Sequence, residues 1–251
     1  ADGGQLPGHR AGDGDLDLLV SGLGFGVRLF LNQGDGRFEE VTDAAGLRSA
    51  AGSTSMALAD VDGDGDLDLY LANHRKDTIS DHPTTRFRIQ RIDGRPVVIE
   101  VNGQPVTLPQ WTNRFEVEAS GNVAELGEPD QFYLNDGRGV FTRVSFTDGR
   151  FLDEEGRPLR ETPGDWGLAA QFHDVNGDGA PDLYVCNDFA SPDRFWLNDG
   201  TGRFRAIGRM AIRTTSTFSM GVDFADINRD GAVDFFVVDM LSPDHRRRHV
   251  Q

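Results

Sequence analysis

The stretch DVDGDGDLDLYL (60–71) sets five aspartates and two glycines in nine positions, then turns into an apolar run. Carboxylates so close together repel one another unless something cationic sits between them. The glycines permit a tight bend, and the apolar residues that follow read as a strand leaving it.

The pattern recurs. DVNGDGAPDLYV (174–185) and DINRDGAVDFFV (226–237) repeat it, and HRAGDGDLDLLV (9–20) is a degenerate copy. The equivalent aspartates Asp17, Asp68, Asp182 and Asp234 lie 51, 114 and 52 residues apart, a unit of about fifty residues with one long insertion. A second element follows the first three copies: LFLNQGDGRFEEV (29–41), FYLNDGRGVFTRV (132–144) and FWLNDGTGRFRAI (195–207). Its Asn32, Asn135 or Asn198 with the glycines after it is hairpin-turn chemistry between two strands.

One complete unit gives the architecture. WGLAAQFHD (166–174) alternates Leu168, Ala170 and Phe172 on one face, and PDLYVCN, DRFWLN and GRFRAI supply three more short strands. The apolar spacing of two argues against helices. Four strands per unit at this repeat length predict an all-β fold, a β-propeller of four-stranded antiparallel blades with β-hairpin insertions. The whole chain, 1–251, reads as one propeller segment with units near 9–47, 52–145, 165–208 and 217–251. Small residues at equivalent places, Ser55, Ala169 and Gly221, suit an inner strand crowded near a central axis. The first unit lacks its first strand and the last stops after two, which predicts that further sequence or a partner chain completes the ring.

The acidic loops carry the chemistry. Oxygen donors at alternate positions of a tight loop suit calcium, which accepts six to eight oxygens in irregular geometry, better than magnesium with its near-ideal octahedron. The candidate ligands are Asp60, Asp62, Asp64, Asp66 and Asp68; Asp174, Asn176, Asp178, Ala180 and Asp182; and Asp226, Asn228, Asp230, Ala232 and Asp234. Side chains serve at positions one, three, five and nine, and the main-chain carbonyl at position seven (Asp66, Ala180, Ala232). Three calcium ions would move the formal charge from −16 to −10. In the first copy His9 and Ala11 replace two ligands, so Asp13, Asp15 and Asp17 form at most a weak site. An EF-hand is excluded because Leu71, Val185 and Val237 stand where its bidentate glutamate belongs, and an RTX β-helix because its nonapeptides are contiguous.

These units resemble the FG-GAP/VCBS repeats of integrin-α-type β-propellers, in particular the bacterial proteins that pair such repeats with an ASPIC/UnbV domain and are similar to the cartilage acidic protein family. The residues carrying the resemblance are the three loops, the LNDGxGxF turns, DWGLAAQFHDVNGDG (165–179) and SMGVDFADINRDG (219–231). It covers most of 11–74 and 131–240, and no ASPIC/UnbV segment is evident. The resemblance implies calcium in each blade's loop, an extracytoplasmic location (periplasmic, cell-surface or secreted) and a role in adhesion or assembly. It implies no active site.

Composition narrows the partners. Lys and Arg number 25 against 41 Asp and Glu, so nucleic acid, which requires a basic footprint, is not expected. No apolar run is long enough to span a bilayer as a helix. ADGGQLPGHR (1–10) lacks the charged start and apolar core of a signal peptide, so an exported chain would have lost its signal or carried it outside this sequence. The single cysteine, Cys186, makes no intrachain disulfide and reads as a small packed hydrophobe. No nucleophile elbow, His-Glu-x-x-His helix or phosphate loop is present, His173 reads as a strand residue, and no catalytic residue or organic cofactor is assigned.

Two segments depart from the repeat. Residues 74–130 contain RIDGRPVVIEVNGQPVTL, whose Asp-Gly and Asn-Gly turns between β-rich runs predict a hairpin or meander. Residues 145–164 form a shorter insertion. Loops of this size on a rigid scaffold are where partners bind. The functional expectation is a calcium-binding, non-enzymatic protein-interaction or assembly module. A carbohydrate-binding propeller or lyase accessory domain, and an accessory subunit of a larger membrane-associated envelope complex, are the alternatives.

Overall fold

The computed structural model describes residues 14–188, 191–208, 210–212, 215–216 and 218–240. His9, Ala11 and Asp13 of the degenerate loop, the place of the first unit's missing strand and the terminal HRRRH (245–249) lie outside them.

Strands and turns make up the fold, with one short 3-10 turn at Ile79–Asp81. In the first sheet, β1 (Leu18–Gly22), β2 (Gly26–Asn32) and β3 (Phe38–Glu40) run antiparallel in that order. Next come β4 (Gly52–Ala59) and β5 (Asp68–His74), joined by the loop that opened the sequence reading. The 74–130 insertion then forms an antiparallel meander of β6 (Phe87–Ile92), β7 (Arg95–Val101) and β8 (Gln104–Pro105), followed by a hairpin of β9 (Phe115–Val117) and β10 (Val123–Glu125). The chain returns through β11 (Gln131–Asn135) and β12 (Phe141–Val144) to complete a four-stranded sheet ordered β12-β11-β5-β4.

After β13 (Phe151–Leu152), the third repeat supplies β14 (Gly167–His173), β15 (Asp182–Asn187), β16 (Arg194–Asn198) and β17 (Phe204–Ala206), ordered β13-β17-β16-β15-β14. A two-stranded sheet of β18 (Ser219–Ala225) and β19 (Asp234–Asp239) ends the described fold.

The third sheet corrects the expectation of four antiparallel strands. It has a fifth, β13, which pairs parallel to β17 through Phe151↔Phe204 and Leu152↔Arg205. The reason is packing: Phe151 is fully buried, stacked on Phe204 at 5.2 Å between centroids and edge-on to Trp196 at 5.4 Å. Residues 145–164 are therefore partly core, not only surface loop.

The alternation assigned to Leu168, Ala170 and Phe172 also fails at its first member. A bulge between Gly167 and Ala169 takes Leu168 out of the ladder, and only Ala170 and Phe172 reach the core beyond. The same irregularity recurs between Ser53 and Ser55 and between Ser219 and Gly221, so Ser55, Ala169 and Gly221 each begin the regular pairing of an inner strand.

The second strand of a repeat is apolar on both faces because both are covered. Leu69 and Leu71 of β5 join Val27, Leu29 and Leu31 in a core with the first sheet, while Tyr70 and Ala72 face Leu183, Val185 and Trp196 of the third. In β15, Leu183 and Val185 point back to the second sheet, and Tyr184 and Cys186 meet Phe224 of β18. Successive sheets thus stack face to face, with β14 lying between β4 and β18. Gly167 marks a close approach between the second and third sheets: a Cβ there would meet Asp130 Oδ1 at 2.8 Å and the Asn73 amide at 3.0 Å.

Candidate metal centres

The acidic loops at 60–68, 174–182 and 226–234 each join the first two strands of a repeat, so their carboxylates gather at one end of the sheet. The position-nine aspartate is the structural pin of the loop. Asp68 is buried and accepts the Val61 amide on Oδ2 at 3.1 Å and the Asn135 amide on Oδ1 at 2.9 Å. Asp182 repeats this with Val175 at 3.1 Å and Asn198 at 2.8 Å, Asp17 accepts the Asn32 amide at 2.9 Å, and Asp234 accepts that of Ile227 at 3.1 Å. The asparagine side chains answer across the same gap, donating to the carbonyls of Leu16, Leu67 and Pro181, each at 3.2 Å. The LNDG motif, read as hairpin chemistry, therefore also ties the third strand to the acidic loop.

Asp60 organises the bend, accepting the Gly63 amide at 2.8 Å and the Gly65 amide at 3.0 Å. Gly65 stands at φ 93°, a left-handed value that costs glycine little. Carboxylate oxygens of Asp60, Asp62 and Asp68 lie within 4.8 Å of one another, the one such acidic group among the described residues. Asp62 Oδ1 and Asp66 Oδ1 are both buried without a hydrogen-bond partner. Burial first, and then the charges of Asp64 and Asp60, raise the Asp62 pKa above the usual carboxylate range; burial and the same neighbours raise that of Asp66. Asp68 is pushed up to about 6, chiefly by burial. Asp64 is exposed and accepts the Asp66 amide at 3.2 Å.

The burial has a local source in the turn between β16 and β17. Gly202 donates its amide to the Val61 carbonyl at 2.9 Å, Asn198 Nδ2 donates to the same oxygen at 2.8 Å, and a Cβ at Gly202 would sit 3.4 Å from Asp62 Cβ.

The other two loops lie more open. Asp174 accepts the amides of Gly177 and Gly179, each at 2.8 Å, and these hydrogen bonds, that of Gly179 foremost, lower its pKa. Asp226 accepts the amides of Asp230 and Gly231 at 3.1 and 2.9 Å. Asp178 and Asp230 accept the amides of Ala180 and Ala232, and the side chains of Asn176 and Asn228 donate to them at 2.9 and 3.0 Å. These ligand sets are not drawn together as closely as the first. Asp15 and Asp17 are exposed.

The donor set of the 60–68 loop fits a hard divalent cation: oxygen atoms alone, three carboxylates converging, and two buried carboxylate oxygens with no proton donor to meet them. Asp66, read as a main-chain donor, adds one of those buried oxygens through its side chain. No counterpart could have signalled this, because Ala180 and Ala232 hold that position elsewhere.

A second buried carboxylate went unread in the sequence. Asp130 accepts the Tyr70 hydroxyl at 2.6 Å and the Asn73 amide at 2.7 Å, and burial pushes it up to about 7. Asp193 repeats the arrangement with Tyr184 and Asn187, adding the Ser219 hydroxyl of the next sheet at 2.6 Å. The signal was the Pro-Asp pair at 129–130 and 192–193 opening each third strand.

Cys186 is buried, and burial pushes its thiol up to about 12; His173 stacks on Phe224 at 5.0 Å. Both pack as the sequence reading expected. No helix among the described residues is long and apolar enough to cross a membrane.

The FG-GAP-like repeat family matches residues 11–71 and 174–237, the segments that hold three of the four acidic loops and their strands. The chain is an FG-GAP repeat protein. The 60–68 loop lies in the first matched segment and the 174–182 and 226–234 loops in the second. Comparison with curated proteins gave no match. Among solved structures, an Agrocybe aegerita lectin described as recognising non-reducing terminal N-acetylglucosamine is 18% identical, with 90% of this chain and 72% of that chain covered, at a TM-score of 0.27. That score is too low to assign a fold or a ligand.

Proposed function

We propose that this FG-GAP repeat protein is a calcium-stabilised, non-enzymatic β-propeller segment that serves as a protein-interaction module outside the cytoplasm. The observation that carries the reading is the pair of buried, unpartnered oxygens of Asp62 and Asp66 beside the converging carboxylates of Asp60 and Asp68. A cation bound there would satisfy those oxygens and offset the burial and, after it, the repulsion that raise both pKa values. The face-to-face stacking of successive sheets, with inner strands β4, β14 and β18 side by side, supports the propeller. The looser loops at 174–182 and 226–234 are further sites that close when calcium arrives. Extracellular modules bind calcium at about 0.1–1 mM, the range that open loops of this kind suit, and this supports a location outside the cytoplasm.

In the bound state Asp60, Asp62 and Asp68 hold the ion, Gly65 keeps the loop bent, and Asn135 locks the loop to its sheet. The test is thermal unfolding in EGTA, in millimolar calcium and in millimolar magnesium. At about a hundredfold excess over Kd each site adds roughly 2.7 kcal/mol. A calcium-selective rise in Tm supports the reading; identical curves in all three solutions contradict it.

A further inference from the structure

The meander of the 74–130 insertion carries a basic run on an acidic chain. Arg86, Arg88, Arg91 and Arg95 fall within ten residues against a single acid, Asp93, a local charge of +3 on a chain of −16. Arg88 pairs with Glu100 at 2.8 Å, whereas Arg86, Arg91 and Arg95 make no ion pair among the described residues. β6 pairs with β7 alone, and its other edge is unpaired among the described residues. Every residue of β6 after Phe87 is exposed. Cross-strand partners place Gln90 with Val97 and Ile92 with Arg95 on one face, where Ile92 and Val97 are 47% and 39% exposed.

This edge is held firmly. Phe87 packs on Phe115 at 5.0 Å, Val98 and Val101 are buried, and turns at Asp93-Gly94 and Asn102-Gly103 take left-handed φ values at all four residues. Arg114, buried, binds Glu125 and the Asp77 carbonyl, and Arg75 Nε donates to the Leu126 carbonyl at 2.6 Å, fastening the insertion to the end of β5. A preorganised strand avoids much of the ordering cost of binding.

We propose that the free edge of β6 is a docking strand for an extended, acidic segment of a protein partner, which joins the meander by strand addition. The exposed backbone of β6 supplies hydrogen bonds, Arg86 and Arg91 pair with the partner's carboxylates on one face of the ladder, and Ile92 and Val97 receive its apolar side chains on the other. The same arginines keep a second copy's β6 away, since like charges opposite one another across a ladder destabilise it. The inference rests on the reading of the chain as a protein-interaction module and names where and what it binds.

The experiment uses the full chain with calcium and a fluorescent synthetic peptide alternating glutamate and valine, followed by anisotropy. Saturable binding is expected, at least about tenfold weaker for the Arg86→Glu/Arg91→Glu variant with an unchanged Tm, and about tenfold weaker for the same peptide carrying a central proline. A lysine–valine peptide should not bind. Absence of binding to the folded chain, equal binding by the proline peptide, or binding to phosphatidylserine vesicles in place of the peptide would each overturn the proposal. A chain whose Tm ignores calcium would contradict the metal reading while leaving this measurement readable.

Discussion

Asp68 and Asn135, 67 residues apart, are joined by a contact that Asn135 donates: its amide meets Asp68 Oδ1 at 2.9 Å, and its Nδ2 donates next door to the Leu67 carbonyl at 3.2 Å. The contact closes the acidic loop onto the third strand of its own sheet, across the whole 74–130 insertion. Because Asp68 also accepts the Val61 amide, its removal orphans two backbone donors, one of them on a fully buried residue. Asp68→Ala is therefore expected to destabilise the chain by about 2–4 kcal/mol in EGTA as well as in calcium. Asp64→Ala, at an exposed position, should cost stability mainly in calcium. Chemical denaturation of both variants in the two solutions checks the contrast.

Asp130 gives the calcium-free chain a pH dependence. Its folded pKa of about 7 exceeds the unfolded carboxylate value, so between about pH 4 and 7 the folded state holds a proton that the unfolded state has released. Stability from this group is full below pH 4 and is lost as pH rises through 7, with a slope of at most about 1.4 kcal/mol per pH unit. Asp130→Asn should flatten that slope. Denaturation midpoints in EGTA at intervals from pH 4 to 8 measure it, and an unchanged slope would remove Asp130 as its source.

Phe151 tests the status of the shorter insertion. Its ring meets Phe132, Phe146, Trp196 and Phe204 in the core between the second and third sheets. Phe151→Ala should cost about 3–5 kcal/mol. Truncation of a surface loop would cost almost nothing, so a loss under about 1 kcal/mol would show 145–164 to be surface loop and not core.

The acidic loops and second strands were legible because they are local and repeated: Asp60–Asp68 carries its spacing in nine residues, and the apolar run from Leu69 to Leu71 reads as a strand, though its burial on both faces shows only in the fold. The meander was legible from Asp93-Gly94 and Asn102-Gly103, which name their own turns. What stayed hidden is non-local. β13 is two residues long between polar turns, and only its parallel pairing with β17 makes it a strand. Leu168 looked like part of an alternation because a bulge leaves no mark in apolar spacing. The Tyr70–Asp130 bond spans 60 residues, and nothing near either residue announces the other.

Asp62 tests the central claim most directly, because its oxygen is buried, unpartnered and surrounded by like charge. Asp62→Asn removes that charge while keeping the shape. Thermal unfolding of this variant beside the native chain should give a Tm equal or higher in EGTA and lower in calcium, the two effects opposite in sign. A variant that melts below the native chain by the same amount in both solutions would contradict a cation site at this loop and make Asp62 an ordinary structural residue.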